Sequence, residues 1–168
     1  MASSRVGSCG RAWGRWAALA VLGLQLTGCA FFSSIPGPGQ AGLGCEAPSA
    51  VPGSGPQLIK LSFDGRIRQY YLFVPSKVDP RRPVPLVLNF HGLNATALDQ
   101  LELSGLHVTA EGRGFVVAYP EGTDGSWNGG DCCGAARRDD VDDVGFARAV
   151  VQDTSSRVCV DTSRIYAT

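Results

Sequence analysis

The residues best suited to chemistry follow an apolar run in the middle of the chain. Residues 86–90 are mostly apolar, as expected of a strand covered on both faces, and a loop that contains His91 and Gly92 continues from them. Backbone N–H groups in such a loop can bind the negative oxygen that forms when an acyl carbon is attacked. The loop therefore indicates an oxyanion-binding site. The alternative is an ordinary turn with a hydrogen-bonded histidine.

The sequence offers few other groups for acyl chemistry. The motif Gly-x-Ser-x-Gly, which presents a serine nucleophile on a sharp turn, does not occur in the 168 residues. The two histidines are His91, in the loop, and His107, which lies in helical sequence where a surface or core-edge role is expected. We therefore assign no member of a Ser-Asp-His triad.

The elements that would position the loop begin with a hairpin. Residues 57–63 and 66–74 alternate apolar and polar side chains around Asp64-Gly65, and a two-residue Asp-Gly turn is a strong hairpin signal. The apolar runs 86–90 and 114–119 enclose a helical pattern over 97–112 that breaks near Ser104-Gly105. Strand, helix and strand in this order predict a βαβ unit.

A second helix and a further strand follow a glycine-rich loop over 121–134. Val144, Ala147, Val150 and Val151 share one helical face, and the helix is expected to end near 155–157. Residues 164–168 read as the next strand. A hairpin followed by alternating strands and helices predicts an α/β sheet with a parallel centre.

The N-terminal region looks like a targeting segment and a linker. Three arginines precede an apolar run over 16–24, which fits a signal peptide at residues 1–30 and is too short for a permanent membrane span. Cys29 ends a lipobox-like sequence and is a candidate for lipidation, although ordinary cleavage fits equally well. Residues 31–56 hold five prolines, six glycines and four serines, which predicts a linker. We expect a secreted protein, with a lipid anchor at Cys29 as the alternative, and the folded domain at 57–168.

The charge balance gives no reason to expect nucleic acid as a partner. The chain has 15 basic and 15 acidic residues, and three of the arginines but only one acid precede residue 57. The folded part therefore carries 12 basic and 14 acidic residues.

Several segments together resemble a known family. They are residues 68–75, 85–92 and 114–122, then Ser126-Trp127-Asn128 with Cys132-Cys133-Gly134, then residues 141–146, 160–161 and 164–168. This order resembles the secreted polyhydroxyalkanoate-depolymerase-like esterases, a group that also holds feruloyl and acetyl xylan esterases. The resemblance covers residues 57–168. It implies an α/β-hydrolase fold truncated before the turn that carries the serine, and no cofactor or metal.

The resemblance also implies particular roles. Gly92 and Leu93 match positions whose N–H groups bind the oxyanion, with His91 supporting the loop, and Trp127 would line the substrate cleft. A loop-packing tryptophan is the alternative. The implied substrates are feruloyl or acetyl esters of plant cell walls, or polyhydroxyalkanoate.

The cysteines and aspartates leave alternatives open. Outside the targeting segment, Cys45, Cys132, Cys133 and Cys159 allow three disulfide pairings, and Cys132 or Cys133 with Cys159 is the pairing we favour because it would pin the cleft loop. A zinc site is the second interpretation, and a thiol nucleophile the third. The aspartates at 139, 140, 142 and 143 suggest helix capping rather than calcium.

Three classes of function remain. The first is a secreted serine esterase of which this chain holds only part, inactive alone because the triad is missing. The second is a truncated, non-catalytic binding or decoy protein. The third is another α/β-hydrolase activity, such as peptidase or thioesterase.

Overall fold

The computed structural model describes Cys45 and residues 49–79, 81–131 and 134–168. The predicted targeting segment at 1–30 with Cys29, most of the predicted linker at 31–56, and Cys132 and Cys133 lie outside the described residues. Within the described ranges, no helix is both long enough and apolar enough to cross a membrane.

The domain opens with the predicted hairpin. Strand β1 (Gln57–Phe63) pairs antiparallel with β2 (Arg66–Phe73). Asp64 has φ 49° and Gly65 has φ 67°, so both central turn residues have the positive φ that a tight hairpin turn with the right twist requires. This local prediction is confirmed.

The sheet has five strands in the order β1-β2-β4-β3-β5. The other three strands are β3 (Val84–Leu88), β4 (Val116–Pro120) and β5 (Val160–Ala167). Strand β2 is antiparallel to β4, whereas β3 is parallel to both β4 and β5. The carboxyl ends of β3, β4 and β5 therefore meet at one edge of the sheet, the edge from which the loop with His91 leaves.

Two short helices connect β3 to β4. Helix α1 (Ala97–Ser104) ends at Gly105, whose φ of 54° breaks the helical pattern before α2 (Leu106–Arg113). The break near Ser104-Gly105 is thus confirmed. Thr96 starts α1 with a capping box: its hydroxyl accepts from the Asp99 N–H, and the Asp99 carboxylate accepts from the Thr96 N–H.

Two helices connect β4 to β5. The first, α3 (Gly134–Arg138), is short and was not predicted. The second, α4 (Asp143–Arg157), buries Asp143, Phe146, Val150 and Thr154. The predicted buried face was wrong at Val144, whose side chain is 60% exposed. The reason is that Asp143, a charged residue, takes the buried position in the first turn.

The helices pack on both faces of the sheet. One core cluster joins alternate residues of β2, β3 and β4 to Phe146 and Val150 of α4. The other joins Phe73, Val117 and Tyr119 to Ala97, Leu101 and Ala110 of α1 and α2. Strand β4 lies between these two apolar layers, which explains why all of its residues are buried.

The disulfide differs from the pairing that the sequence favoured. Cys159 pairs with Cys45, 114 residues away, with a Cα–Cα distance of 4.6 Å. The pairing of Cys159 with Cys132 or Cys133 was therefore wrong. Cys159 precedes β5, and its carbonyl accepts from the Val84 N–H (2.9 Å) at the start of β3. It thus lies at the amino edge of the parallel strands, opposite the edge reached by the loop that follows β4.

The described end of the predicted linker is held by the folded part. The N–H of Ala50 donates to the Arg157 carbonyl (3.1 Å), and the N–H of Gly53 donates to the Val74 carbonyl (3.0 Å). With the disulfide at Cys45, these contacts tie the described residues before β1 to the body of the domain.

Candidate active site

The loop with His91 extends β3, an interior strand of the sheet. The Asn89 N–H donates to the Ala118 carbonyl and the Phe90 N–H to the Thr168 carbonyl, both at 2.8 Å. The backbone ladder therefore continues past Leu88 on both sides of β3. The segment 91–96 then leaves the sheet between the ends of β4 and β5 and leads into α1. We call this segment the oxyanion loop, after the role that the sequence predicts for it.

His91 is a buried anchor of the oxyanion loop. Its residue is 3% exposed, and Nε2 accepts from the Gly122 N–H at 2.9 Å. Because a backbone N–H can only donate, Nε2 carries no proton, and the neutral ring is protonated at Nδ1. Nδ1 lies 2.8 Å from the Gly92 carbonyl oxygen, to which it donates. Both ring nitrogens are thus used within the protein.

The amides of Gly92 and Leu93 differ from those that follow. The Asn94 N–H donates to the Gly125 carbonyl at 2.8 Å, and the Ala95 N–H to the Gly92 carbonyl at 3.2 Å. Among the described residues, the N–H groups of Gly92 and Leu93 donate no hydrogen bond. Both residues are exposed, Leu93 by 54%.

A second segment, residues 121–128 after β4, packs against the oxyanion loop, and we call it the strap. Trp127 of the strap donates from its indole Nε1 to the His91 carbonyl at 2.9 Å. Its ring centroid lies 4.9 Å from that of His91 and 5.1 Å from that of Phe90. The structure therefore places Trp127, which is partly buried, under the loop. A role in lining a substrate cleft stays a prediction.

Glu121 begins the strap and was not singled out from the sequence. Its Oε2 accepts from the Ala97 N–H at 3.0 Å, at the start of α1. Its Oε1 lies 3.6 Å from His91 Nε2. The position of an acidic residue directly after a buried strand, at the edge where the loop leaves, was the signal that could have identified it.

A buried ion pair holds both ends of the strap. Arg68 Nη2 lies 2.8 Å from Asp143 Oδ1, and the two side chains are 7% and 6% exposed. Arg68 also donates to the Glu121 carbonyl at 3.1 Å, and Asp143 Oδ2 accepts from the Asn128 N–H at 2.7 Å. The Arg68 guanidinium lies 3.8 Å from the centre of the Phe146 ring. Sequence reasoning missed this pair because its members are 75 residues apart.

Comparison with known proteins finds two esterases of similar sequence. No protein-family model matches the chain. Feruloyl esterase B of Piromyces equi is 33% identical over 104 residues, which cover 60% of this chain. The putative esterase NocK of Nocardia uniformis subsp. tsuyamanensis is 36% identical over 105 residues, or 61% of this chain. The chain is similar in sequence to these two esterases.

Two solved structures share the fold of this chain. Native pOPH has a TM-score of 0.53 at 18% sequence identity, over 74% of this chain and 46% of pOPH. Native sOPH has a TM-score of 0.53 at 20% identity, over 71% of this chain and 45% of sOPH. The chain spans only 18% of feruloyl esterase B and 30% of NocK.

His107 lies apart from the oxyanion loop. It is on α2, and its ring packs edge-on against Phe73, with centroids 5.7 Å apart. Phe73 ends β2, which runs antiparallel to β4, so His107 lies towards the opposite edge of the sheet. His107 Nδ1 is buried, with no hydrogen-bond partner in the described part of the chain.

The four aspartates at 139, 140, 142 and 143, around the start of α4, each have a partner within the protein. Asp139 pairs with Arg138, Asp142 accepts from the Gly145 N–H at the start of α4, and Asp143 pairs with Arg68. Asp140 accepts weakly from the Asn128 side chain at 3.3 Å. No group of three or more metal-ligating side chains occurs among the described residues.

Proposed function

We propose that this chain supplies the oxyanion-binding part of a secreted carboxylic ester hydrolase of the feruloyl esterase or polyhydroxybutyrate depolymerase type. The single observation that carries the proposal is the contrast along the oxyanion loop. The N–H groups of Asn94 and Ala95 donate within the protein, whereas those of the exposed residues Gly92 and Leu93 donate no hydrogen bond among the described residues, beside a buried His91 with both ring nitrogens hydrogen-bonded. Two esterase relatives above 30% identity support the reaction class.

The chemistry follows from charge development. When a nucleophile attacks an ester carbonyl, the oxygen becomes negative, and fixed N–H donors stabilise it without reorganisation at the moment of reaction. The ring of His91 donates to the Gly92 carbonyl, which orients the next peptide unit and its Leu93 N–H. Removal of one such donor typically costs about 10²–10³ in kcat.

The nucleophile and the general base would come from residues outside this chain. The 168 residues contain no Gly-x-Ser-x-Gly. His91 has both ring nitrogens engaged, and His107 lies elsewhere in the fold. We therefore propose that the chain does not hydrolyse esters by itself.

The proposal also includes export of the protein and the class of its ester substrate. The disulfide between Cys45 and Cys159 supports an oxidising compartment. The ester substrates would be feruloyl or acetyl esters of plant cell walls, or polyhydroxyalkanoate. The relative named feruloyl esterase B favours the feruloyl class. Lipidation at Cys29 would anchor the protein to a membrane.

The direct test of the oxyanion role is a chimera. The aligned segment of this chain replaces the matching segment of NocK, and hydrolysis of p-nitrophenyl acetate and methyl ferulate is measured. In that chimera, Leu93→Pro removes the N–H, and Leu93→Ala is the matched control that keeps it. We expect Leu93→Pro to lower kcat by about 10²–10³ and Leu93→Ala to stay within about threefold.

Two results would contradict the proposal. Equal activity of the proline and alanine variants would remove Leu93 from the oxyanion site. Turnover of either ester by the purified 168-residue chain, if it disappears on Gly92→Pro, would show that the chain carries its own catalytic groups.

A further inference from the structure

Both ends of the oxyanion loop are held by one short piece of the strap. At the far end, the Glu121 carboxylate accepts from the Ala97 N–H at 3.0 Å. At the near end, the next amide, that of Gly122, donates to His91 Nε2 at 2.9 Å. The carboxylate itself also lies 3.6 Å from the His91 ring nitrogen. Gly92 and Leu93 lie between these two points.

Glu121 takes its own position from the sheet rather than from the loop. Its N–H donates to the Gln69 carbonyl at 3.0 Å, and its carbonyl accepts from Arg68 at 3.1 Å. Strand β2 and the buried ion pair thus fix the backbone of Glu121. The Glu121 side chain is 21% exposed, so water competes only partly for the carboxylate.

The charge of Glu121 suits the group that it binds. Ala97 is the first residue of α1, and the first N–H groups of a helix have no partner within the helix. A carboxylate there satisfies one of these donors and also interacts favourably with the helix dipole. The hydrogen bonds of the Thr96–Asp99 capping box satisfy the N–H groups of Thr96 and Asp99 and join only residues at the start of α1.

We infer that Glu121 is a positioning residue that sets the geometry of the oxyanion loop. Its carboxylate fixes the Ala97 end of the loop, and the adjoining Gly122 amide fixes the His91 end. The N–H groups of Gly92 and Leu93, which lie between these two contacts, are thereby held in one position. This inference rests on the proposed function for its catalytic meaning. The clamp itself is measurable without any substrate.

The first experiment uses the full chain in solution. Amide hydrogen exchange and ¹⁵N spectra are recorded for the wild type and for the variants E121A, E121D and E121Q. Alanine removes the acceptor and aspartate is one methylene too short to reach Ala97, so both should raise exchange at the Ala97 amide by about tenfold or more and shift the Gly92 and Leu93 resonances. Glutamine keeps an acceptor oxygen at the same reach and should stay within about threefold of the wild type.

A matched control and a second variant keep the test decisive. Asp124→Asn removes an exposed carboxylate from the same strap, at a positive φ that asparagine tolerates, and should leave the Ala97 amide unchanged. If E121A fails to fold, the comparison of E121D with E121Q carries the result, because both retain a polar side chain. Unchanged Ala97 exchange and unchanged Gly92 and Leu93 resonances in E121D would overturn the inference.

The second experiment separates the clamp from the proposed function. In the NocK chimera, E121A should lower kcat by about tenfold with KM nearly unchanged, and E121Q should restore most of the activity. If E121A loosens the loop in the spectra but Leu93→Pro leaves turnover intact, the clamp stands and the oxyanion proposal fails. If Leu93→Pro abolishes turnover but E121A changes neither exchange nor kcat, the oxyanion proposal stands and the clamp fails.

Discussion

Replacing Asp143 with alanine tests the buried ion pair on which the strap depends. The Arg68 and Asp143 side chains are 7% and 6% exposed, with 2.8 Å between Nη2 and Oδ1. After the replacement, the guanidinium would stay in the interior without its countercharge. The Asn128 N–H, now bound to Asp143 Oδ2 at 2.7 Å, would also lose its acceptor.

The expected cost is large for a domain of this size. Removing one partner of a buried pair destabilises proteins by about 3–5 kcal/mol because the remaining charge is uncompensated. We therefore expect Asp143→Ala to lower the free energy of unfolding by about 4 kcal/mol, against a usual total of about 5–15 kcal/mol. Asp143→Asn keeps an oxygen acceptor and should cost roughly half as much.

Urea denaturation of the full chain measures the effect. The midpoint should fall while the dependence of the free energy on urea stays constant, since the surface exposed on unfolding is unchanged. Asp139→Ala is the control, because its ion pair with Arg138 is exposed and should contribute nothing measurable. A loss below about 1 kcal/mol for Asp143→Ala would refute the assignment of Arg68 as a charge that depends on Asp143.

Two further predictions concern glycines and acid titration. Gly122→Ala would place a Cβ 2.5 Å from the Ser126 carbonyl oxygen and should destabilise the protein. Gly112 lies in α2 with open space around it, so Gly112→Ala should stabilise the protein by about 0.5–1 kcal/mol. Thermal melts of both variants check these expectations. Hydrogen bonds from the Ser163 hydroxyl, which has the larger effect, and from the Arg164 guanidinium lower the pKa of Asp161 to about 2. The stabilising contribution of the Asp161 carboxylate is therefore present above the unfolded pKa of about 3.8 and is lost as pH falls through 2. An NMR titration of the Asp161 carboxyl should give a midpoint near 2 that rises in Ser163→Ala, and a wild-type midpoint near 4 would contradict this.

Local signals explain why much of the fold could be predicted. The Asp64-Gly65 turn requires positive φ at two neighbouring residues, a demand that depends on the turn alone. The break at Gly105 is likewise local, because glycine adopts φ 54° at little cost. The apolar run before His91 predicted a buried strand, and β3 is an interior strand between β4 and β5.

The missed features depend on contacts between distant residues. Nothing near Asp143 in the sequence shows that Arg68 will meet it, so a pattern based on hydrophobicity assigned the buried position to Val144 instead. The partner of Cys159 depends on which edge of the sheet each cysteine reaches, which only the strand order gives. Glu121 escaped notice for the same reason, since its role needs the start of α1 beside the end of β4.

Two glycines of the site show the difference between a residue that the fold requires and one that it does not. A Cβ on Gly122 would lie 2.9 Å from His91 Nε2, so packing within the protein explains the glycine there. A Cβ on Gly92 would meet nothing within 4 Å in the described structure, and its φ lies outside the left-handed region. Glycine at such a position still costs conformational entropy on folding, about 0.5–1 kcal/mol relative to alanine in regular structure. Neither packing among the described residues nor a left-handed φ therefore requires glycine at position 92, and the oxyanion role proposed above would give this glycine a use.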